Sequence, residues 1–435
     1  MSRRSVGLVS LGCAKNRVDA EHLLGGLLAR GFTLVEDPAG AEVVVVNTCG
    51  FLREAVEESI EEILEAARLK ETGACRVLVV AGCLPKRYPE LARELPEVDH
   101  FFTPDDLPRI PGLLGGAPAP QGEEEAPPRV LTQLPHSAYL KVAEGCSNRC
   151  TYCTIPSIRG DFRSLSQAPL VAEARVLAEQ GVVELNLVAQ DVTSYGRDRG
   201  DPSALAGLLD ALEGVEGLRW LRLLYGYPGP LPSGIEDRLR AGGKLVPYLD
   251  LPIQHIHPRI LRAMGRRTTA AEVEEALLGL LERVPGLVLR TTAIVGFPGE
   301  TDAEFQALTD FVGRVRFHHL GAFAYSPEEG TPAERLRPRV PKRVVRERLD
   351  RLLELQAEVS AARNRELLDR ELEVLVEGVD EEGRVVGRTY GQAPEVDGIT
   401  LLRGCGDDVV EIGSFVRARV VGSTEYDLEA KVLDP

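Results

Sequence analysis

No stretch of this 435-residue chain approaches the ~18 consecutive apolar residues that a membrane span requires. Its opening, Met1-Ser-Arg-Arg-Ser-Val-Gly-Leu-Val-Ser10, also lacks the apolar core of a secretory signal. Both absences predict a soluble, cytoplasmic protein with no membrane partner. Basic residues are outnumbered, 51 Lys and Arg against 67 Asp and Glu, for a net charge of −16. That excludes a surface that grips nucleic acid as a whole, although a local basic patch stays open. Internal repeats are missing too. Eight cysteines are too sparse for a disulfide scaffold, and in a large cytoplasmic chain they point to metal ligands or catalysts. The apolar fraction is 44%, enough to build large cores, and the length suits roughly two to four domains.

The first part alternates short Val/Leu-rich runs with amphipathic segments. Ser5–Ser10, Glu42–Val46 and Arg76–Ala81 read as buried parallel strands, with a further strand over Val98–Phe102. Arg17–Arg30, Leu52–Leu69 and Tyr88–Leu95 read as helices, so an open α/β sheet is expected. Pro111–Pro128 then turns rich in Pro, Gly and Glu, the composition of a linker. A second series offers strands over Ala138–Val142, Val183–Val188, Leu218–Tyr225, Tyr248–Ile253, Leu287–Val295 and Leu320–Tyr325. With helices between them, six such units predict a closed or partly closed β/α barrel with its site at the strand C-terminal ends. A long helix follows over about Pro341–Leu368. From Glu371 onward, five short strands separated by Gly and acidic turns predict a small all-β barrel. We divide the chain into an N-terminal domain (1–120), a linker (121–136), a core (137–369) and the terminal barrel (370–435).

Cys146, Cys150 and Cys153 form a CxxxCxxC loop directly after the first barrel strand. Thiolates suit iron–sulfur clusters, and a single loop can wrap three corners of a cubane, leaving one iron open. Zinc competes, but a structural zinc site wants a fourth Cys or His nearby, and none follows here. Cys13, Cys49 and Cys83 each sit just past a predicted parallel strand, about 35 residues apart. Ligands of open α/β sheets gather at those strand ends, so three such thiols can converge. Gly12, Gly50 and Gly82 beside them would let backbone approach a bulky cluster. Buried packing thiols remain the alternative, and it is the reading for Cys75 and Cys405.

Other residues are candidates by position alone. Gly296 and Glu300 end the fifth barrel strand in Ile294-Val-Gly-Phe-Pro-Gly-Glu300, which suits contact with an adenosine or a plain β–α turn. Gln190 and Asp191 follow the second strand and either point into the barrel mouth or cap a helix. Gln254, His255 and His257 follow the fourth, with a hydrogen-bonded structural His as the default. Arg159 and Arg163, just beyond the cysteine loop, could pair with a substrate carboxylate.

The CxxxCxxC loop, with Tyr152 before its third cysteine, resembles the radical S-adenosylmethionine superfamily. The three-part plan resembles that superfamily's methylthiotransferase family, whose terminal β-barrel is termed TRAM. Four stretches resemble its ribosomal-protein branch more than its tRNA branch: Ser10-Leu-Gly-Cys-Ala-Lys-Asn-Arg-Val-Asp19, Cys153-Thr-Ile-Pro-Ser-Ile-Arg-Gly160, Tyr248-Leu-Asp-Leu-Pro-Ile-Gln-His255 and Gly391-Gln-Ala-Pro-Glu-Val-Asp-Gly398. The resemblance implies an enzyme that attaches a methylthio group to the β-carbon of an aspartate in small-subunit ribosomal protein S-twelve; the alternative is a tRNA adenosine methylthiotransferase. It implies two 4Fe–4S clusters, one on Cys146, Cys150 and Cys153 that binds S-adenosyl-L-methionine, and one on Cys13, Cys49 and Cys83 that carries sulfur. Tyr152, Gln190, Gly296 and Glu300 would contact the cofactor. An electron donor and a sulfur donor are needed, and no stable tRNA complex is expected. The terminal barrel bears on this independently. Glu371–Pro435 holds 15 acidic and 6 basic residues, a balance of −9, which suits a basic protein partner better than phosphate. Glu395, Asp397, Asp407 and Asp408 are the expected docking acids.

Overall fold

The computed structural model describes residues 4–115, 126–404 and 411–434. Cys405, Asp407 and Asp408 lie outside the described residues. In the N-terminal domain β1 (Ser5–Ser10), β2 (Thr33–Leu34), β3 (Val43–Thr48), β4 (Val77–Gly82) and β5 (His100–Phe102) form an all-parallel sheet in the order β2-β1-β3-β4-β5. The Val43–Val46 run is buried throughout because both faces are covered. Val44 and Val46 pack with Ile63 of helix Arg53–Thr72, while Val43 and Val45 pack with Leu23 and Leu27 of helix Ala14–Leu28. Strand order reverses between β1 and β3, so the loops after them part and leave a crevice.

Two details differ from the sequence expectation. Tyr88–Leu95 is not one helix: Cys83–Arg87 and Leu91–Glu94 are separate short ones. Pro89 forbids helical backbone at Tyr88, which sits at φ −128°, ψ 73°. The edge strand β2 is two residues long, too short to show a periodic signal. The linker's far end is also tied down, since Arg129 pairs with Glu21 at 2.6 Å and Glu173 at 2.7 Å.

In the core, β6 (Ser137–Lys141) is followed by a two-residue antiparallel pair, β7 (Ala143–Glu144) with β8 (Arg163–Ser164). β9 (Glu184–Val188), β10 (Trp220–Leu223), β11 (Leu245–Asp250), β12 (Val288–Val295) and β13 (His319–Ala324) then join β6 in a six-stranded parallel sheet in chain order. Edges β6 and β13 do not pair, so the barrel is partial. Leu185, Leu187, Leu221, Leu223, Leu249 and Leu289 face the helices, in one core with Leu208, Leu277 and Phe311. Alternation turns Glu184, Trp220, Arg222, Tyr248, Asp250 and Arg290 to the opposite face.

The last domain is the expected closed barrel of β14 (Glu371–Val379), β15 (Val385–Thr389), β16 (Thr400–Arg403), β17 (Phe415–Ser423) and β18 (Leu428–Asp434). Its β15–β16 connection covers the polar face of the core sheet. Arg388 meets the buried Glu184 at 2.6 Å, beside Arg222 at 3.0 Å, and Arg222 donates to Tyr390 O at 2.6 Å. The Tyr248 hydroxyl donates to Asp397 at 2.6 Å, and Arg290 pairs with the same carboxylate at 3.3 Å. This corrects the charge reading: the Asp397 carboxylate is buried, and Glu395 is engaged by Arg17 at 2.6 Å. Neither is a free docking acid. Glu381, Glu411 and Glu425 are exposed on this domain.

Candidate functional site

The CxxxCxxC segment follows β6 and returns through β8. Cys146 N–H donates to Gly160 O at 3.0 Å, which closes the loop at its base. Gly145 has φ +72°, and a Cβ there would lie 2.2 Å from Asp161 O, so only glycine passes. Thr151 pins the middle: its hydroxyl donates to Ala263 O at 2.8 Å and its N–H to Met264 O at 2.9 Å. Asp191, at the end of β9, accepts from Asn148 at 2.9 Å and from the hydroxyls of Thr193 and Ser194. Asp191 therefore holds the loop in place. Burial pushes the Cys153 thiol up to about 12 and raises Cys146 as well. Arg266 stacks on Tyr227 at 4.1 Å and reaches Cys150 Sγ at 3.8 Å, and Tyr152 is embedded beside the same thiol. Buried thiols ionise when a metal centre supplies positive charge, and Arg266 beside Cys150 suits the net negative charge of such a thiolate-ligated group.

The second trio assembles from three strand ends. Cys13 precedes helix Ala14–Leu28, Cys49 follows β3, and Cys83 opens helix Cys83–Arg87. A Cβ on Gly12 would lie 2.9 Å from Cys49 Cβ, and one on Gly50 3.1 Å from the Cys83 carbonyl carbon. The glycines thus let the three strand ends approach one another, rather than only making space for a cluster. Burial pushes the Cys83 thiol up to about 11 and raises Cys49. Cys13 goes the other way. Burial opposes its ionisation, but Lys15, the Asn16 N–H and Arg159 outweigh it and hold the thiol below its ordinary value. Cys13 is exposed, Cys49 half-buried and Cys83 buried, so the trio is reachable from the Cys13 side. Among the described residues no three His, Cys, Asp or Glu side chains gather tightly enough for a single metal ion. A cluster several ångströms wide bridges thiols that stand further apart, so the donor chemistry of both trios fits it.

Arg159 joins the two sites. Sequence position suggested a substrate-binding arginine; in the structure it is buried, with Nη1 on Asp19 at 2.6 Å, Nη2 on Asn16 at 3.0 Å and Nε on Cys83 Sγ at 3.3 Å. Its charge is consumed between the domains. Lys141 completes the group through Asp19 and, at 2.7 Å, Glu144. Helix Cys83–Arg87 packs on helix Ile155–Arg159. Arg87 pairs with buried Glu328 of the core at 2.8 Å. A cleft of about 610 Å³ lies along this seam, lined by Lys86, Arg87, Cys150, Cys153, Ser157 and Glu329 among others.

The remaining candidates separate. Gln190 is half-buried at the strand ends. Gly296 adopts φ +76°, and its N–H donates to Glu300 at 2.5 Å. Glu300 is buried and also bound by Arg348 at 2.9 Å, with His255 Nε2 at 3.3 Å, so its carboxylate braces the turn. His255 Nδ1 accepts from the N–H groups of Ile256 and His257, which makes it structural. Gln254 stands in left-handed backbone at φ +67° with a buried, unpartnered Oε1. Cys75 is a packing thiol. Sequence reasoning missed Lys15, Asp19 and Arg266. The first two lie inside the Cys13 motif, the one signal that could have found them.

Known proteins show similarity over the whole chain. Residues 5–103 match the Uncharacterized protein family UPF0004, 140–312 the Radical SAM superfamily and 370–433 the TRAM domain. The chain is 44% identical over 446 residues to the ribosomal protein uS12 methylthiotransferase RimO of Geobacter sulfurreducens, covering 99% of each. It is 47% identical to the protein of the same name from Anaeromyxobacter sp., covering 98% of this chain and 92% of that one. Among solved structures, the radical S-adenosylmethionine methyltransferase TsrM from Kitasatospora setae, with cobalamin and a 4Fe–4S cluster bound, shares the fold. The TM-score is 0.52 at 18% identity over 76% of this chain and 77% of that one.

Proposed function

The chain belongs to the RimO family of radical S-adenosylmethionine methylthiotransferases, and from that premise we propose that its substrate is ribosomal protein uS12, modified at the β-carbon of an aspartate in the cytoplasm. Cys146, Cys150 and Cys153 would hold one 4Fe–4S cluster, and Cys13, Cys49 and Cys83 a second. When bound, these groups with S-adenosyl-L-methionine supply what no side chain has: a radical able to remove hydrogen from an unactivated carbon, together with sulfur and a methyl group.

The protein's own residues supply position. Asp191, Thr151 and Gly145 fix the shape of the CxxxCxxC loop. Tyr152, Gln190 and Gly296 would contact the cofactor, and Glu300, which accepts from the Gly296 N–H, would brace the turn beside it. Arg159 and Asp19 lock the sheet-end trio against the core, which would hold the two cysteine sets in fixed relation. The division into 1–120, 121–136, 137–369 and 370–435 follows this separation of tasks. The exposed acids of the terminal barrel favour a basic protein partner, with an electron donor and a sulfur donor supplied from outside.

The observation that carries the reading is two three-cysteine sets across one interdomain contact, Cys150 and Cys153 lining its cleft and Cys83 touched by Arg159 of the core. The test is anaerobic reconstitution followed by mass spectrometry of uS12. About eight irons per chain and a methylthio mass increment on one aspartate are expected. Modification of tRNA with unmodified uS12 would move the chain to the tRNA branch.

A further inference from the structure

Helix Ala14–Leu28 carries a cation that the interdomain ion pairs leave unused. Lys15 is 5% exposed, and its ammonium sits 3.3 Å from the centre of the Tyr225 ring. Among the described residues no carboxylate comes within 4.0 Å of it. The neighbouring buried cations are all matched: Lys141 meets Glu144 at 2.7 Å, Arg159 meets Asp19 at 2.6 Å, and Arg290 meets Asp397 at 3.3 Å. Asp250 lies nearby, but Arg290 at 3.5 Å is its closer cation. A ring face offsets only part of the hydration that a buried ammonium loses. Lys15 therefore has no carboxylate partner among the described residues; the anion-forming group it faces is the Cys13 thiol, whose ionisation it favours.

Its place matters as much as its charge. Tyr225 stands just past the C-terminal end of β10, where ligands of such sheets bind, and holds φ +62°, a left-handed conformation that a non-glycine keeps only under constraint. Lys15 is two residues beyond Cys13. It therefore spans the distance between the sheet-end trio and the polar face of the core. On the reading above, which this inference rests on, the reacting carbon of the substrate is bonded directly to a carboxylate. Whatever binds that carboxylate fixes the carbon to within one bond.

We propose that Lys15 binds the side-chain carboxylate of the target aspartate and so selects an acidic residue at the radical site. A neutral amide of the same shape would leave the ammonium unmatched, which is how a buried polar group rejects a near-isostere.

The test measures binding of purified uS12, and of uS12 whose target aspartate is replaced by asparagine, to the anaerobically reconstituted enzyme. Wild-type enzyme should bind the aspartate form about tenfold or more tighter, as expected for a desolvated charge-assisted hydrogen bond. Lys15→Met should bind both forms alike, and Lys15→Arg should keep the preference. Lys15→Gln, which is neutral but keeps a polar end group, takes the place of Lys15→Met if that variant does not fold. All are compared at equal iron content because Cys13 is adjacent. A neutral variant that keeps the full preference overturns the role of Lys15. Wild-type enzyme that binds neither form overturns the substrate reading itself, and the inference with it.

Discussion

Cys146, Cys150 and Cys153 come from eight consecutive residues of one loop, whereas Cys13, Cys49 and Cys83 come from three strand ends spread over 71 residues. In the loop, covalent spacing does most of the work, and the fold only orients it through Thr151, Asn148 and Gly145. In the sheet-end set nothing covalent brings the thiols together. Parallel register aligns β1, β3 and β4, close-packed glycines bring the strand ends into contact, and Arg159 arrives from the core to touch Cys83. The electrostatics differ accordingly. Burial dominates at the loop, while Lys15 and Arg159 turn the balance toward the thiolate at Cys13. A thiol set made of distant pieces depends on the register of its sheet, and a contiguous set far less so.

That contrast can be broken outright. Replacing Cys146, Cys150 and Cys153 together by Ala should halve the iron and abolish cleavage of S-adenosyl-L-methionine. Replacing Cys13, Cys49 and Cys83 should also halve the iron yet leave cleavage to 5′-deoxyadenosine, with no methylthiolated product. Iron analysis and chromatography of the nucleoside decide it, and equal loss of cleavage in both variants would refute the division.

A milder cut targets the contact alone. Arg159→Ala leaves Asp19 with one buried cation instead of two, so about 3–5 kcal/mol of stability should be lost in thermal or urea unfolding. Iron should fall at the sheet-end set first, with the loop set retaining its share. Acid sharpens the same point in metal-free protein. Arg388, Arg222 and Ser137 overcome burial and hold the Glu184 carboxyl down from its ordinary 4.5 to about 2. Lys141 and Arg159 likewise hold Asp19 below its usual value. Depressed carboxyls stabilise the fold fully above their unfolded values, and that contribution disappears as pH falls through the folded ones. For Glu184 this amounts to about 3 kcal/mol, lost between roughly pH 4.5 and 2. Thiol labelling with a dipyridyl disulfide, which reacts in acid, should expose Cys49 and Cys83 before Cys146. The smallest effect is expected from Glu395→Gln. Its partner Arg17 is partly exposed, so unfolding should shift by no more than about 1 kcal/mol.

What could be read from sequence follows the same divide. The loop stands out in the sequence because its three cysteines lie within eight residues. The sheet-end cysteines were legible one step removed, through Val-rich runs that predict parallel strands and hence a shared edge. The Arg159–Asp19 pair, 140 residues apart, left no local trace, so Arg159 was read as a substrate contact. Nothing local in the sequence marks Lys15, whose burial follows from helix Ala14–Leu28 packing on both its own sheet and the core. The acidic terminal barrel was misjudged in part because composition counts charges but not their direction. Asp397 points inward to Tyr248 and Arg290.

The Glu184–Arg388 pair also bears on how the enzyme is made. Arg388 leaves the translating ribosome 204 residues after Glu184, which at about 5–20 residues per second is a delay of roughly 10–40 s. During that interval the central sheet has Arg222 on its buried carboxylate but neither the second arginine nor the covering segment. The nascent core therefore presents a wet, half-neutralised face until the terminal barrel emerges and docks. The core sheet thus reaches its final packing only after the segment that carries Arg388 has been made.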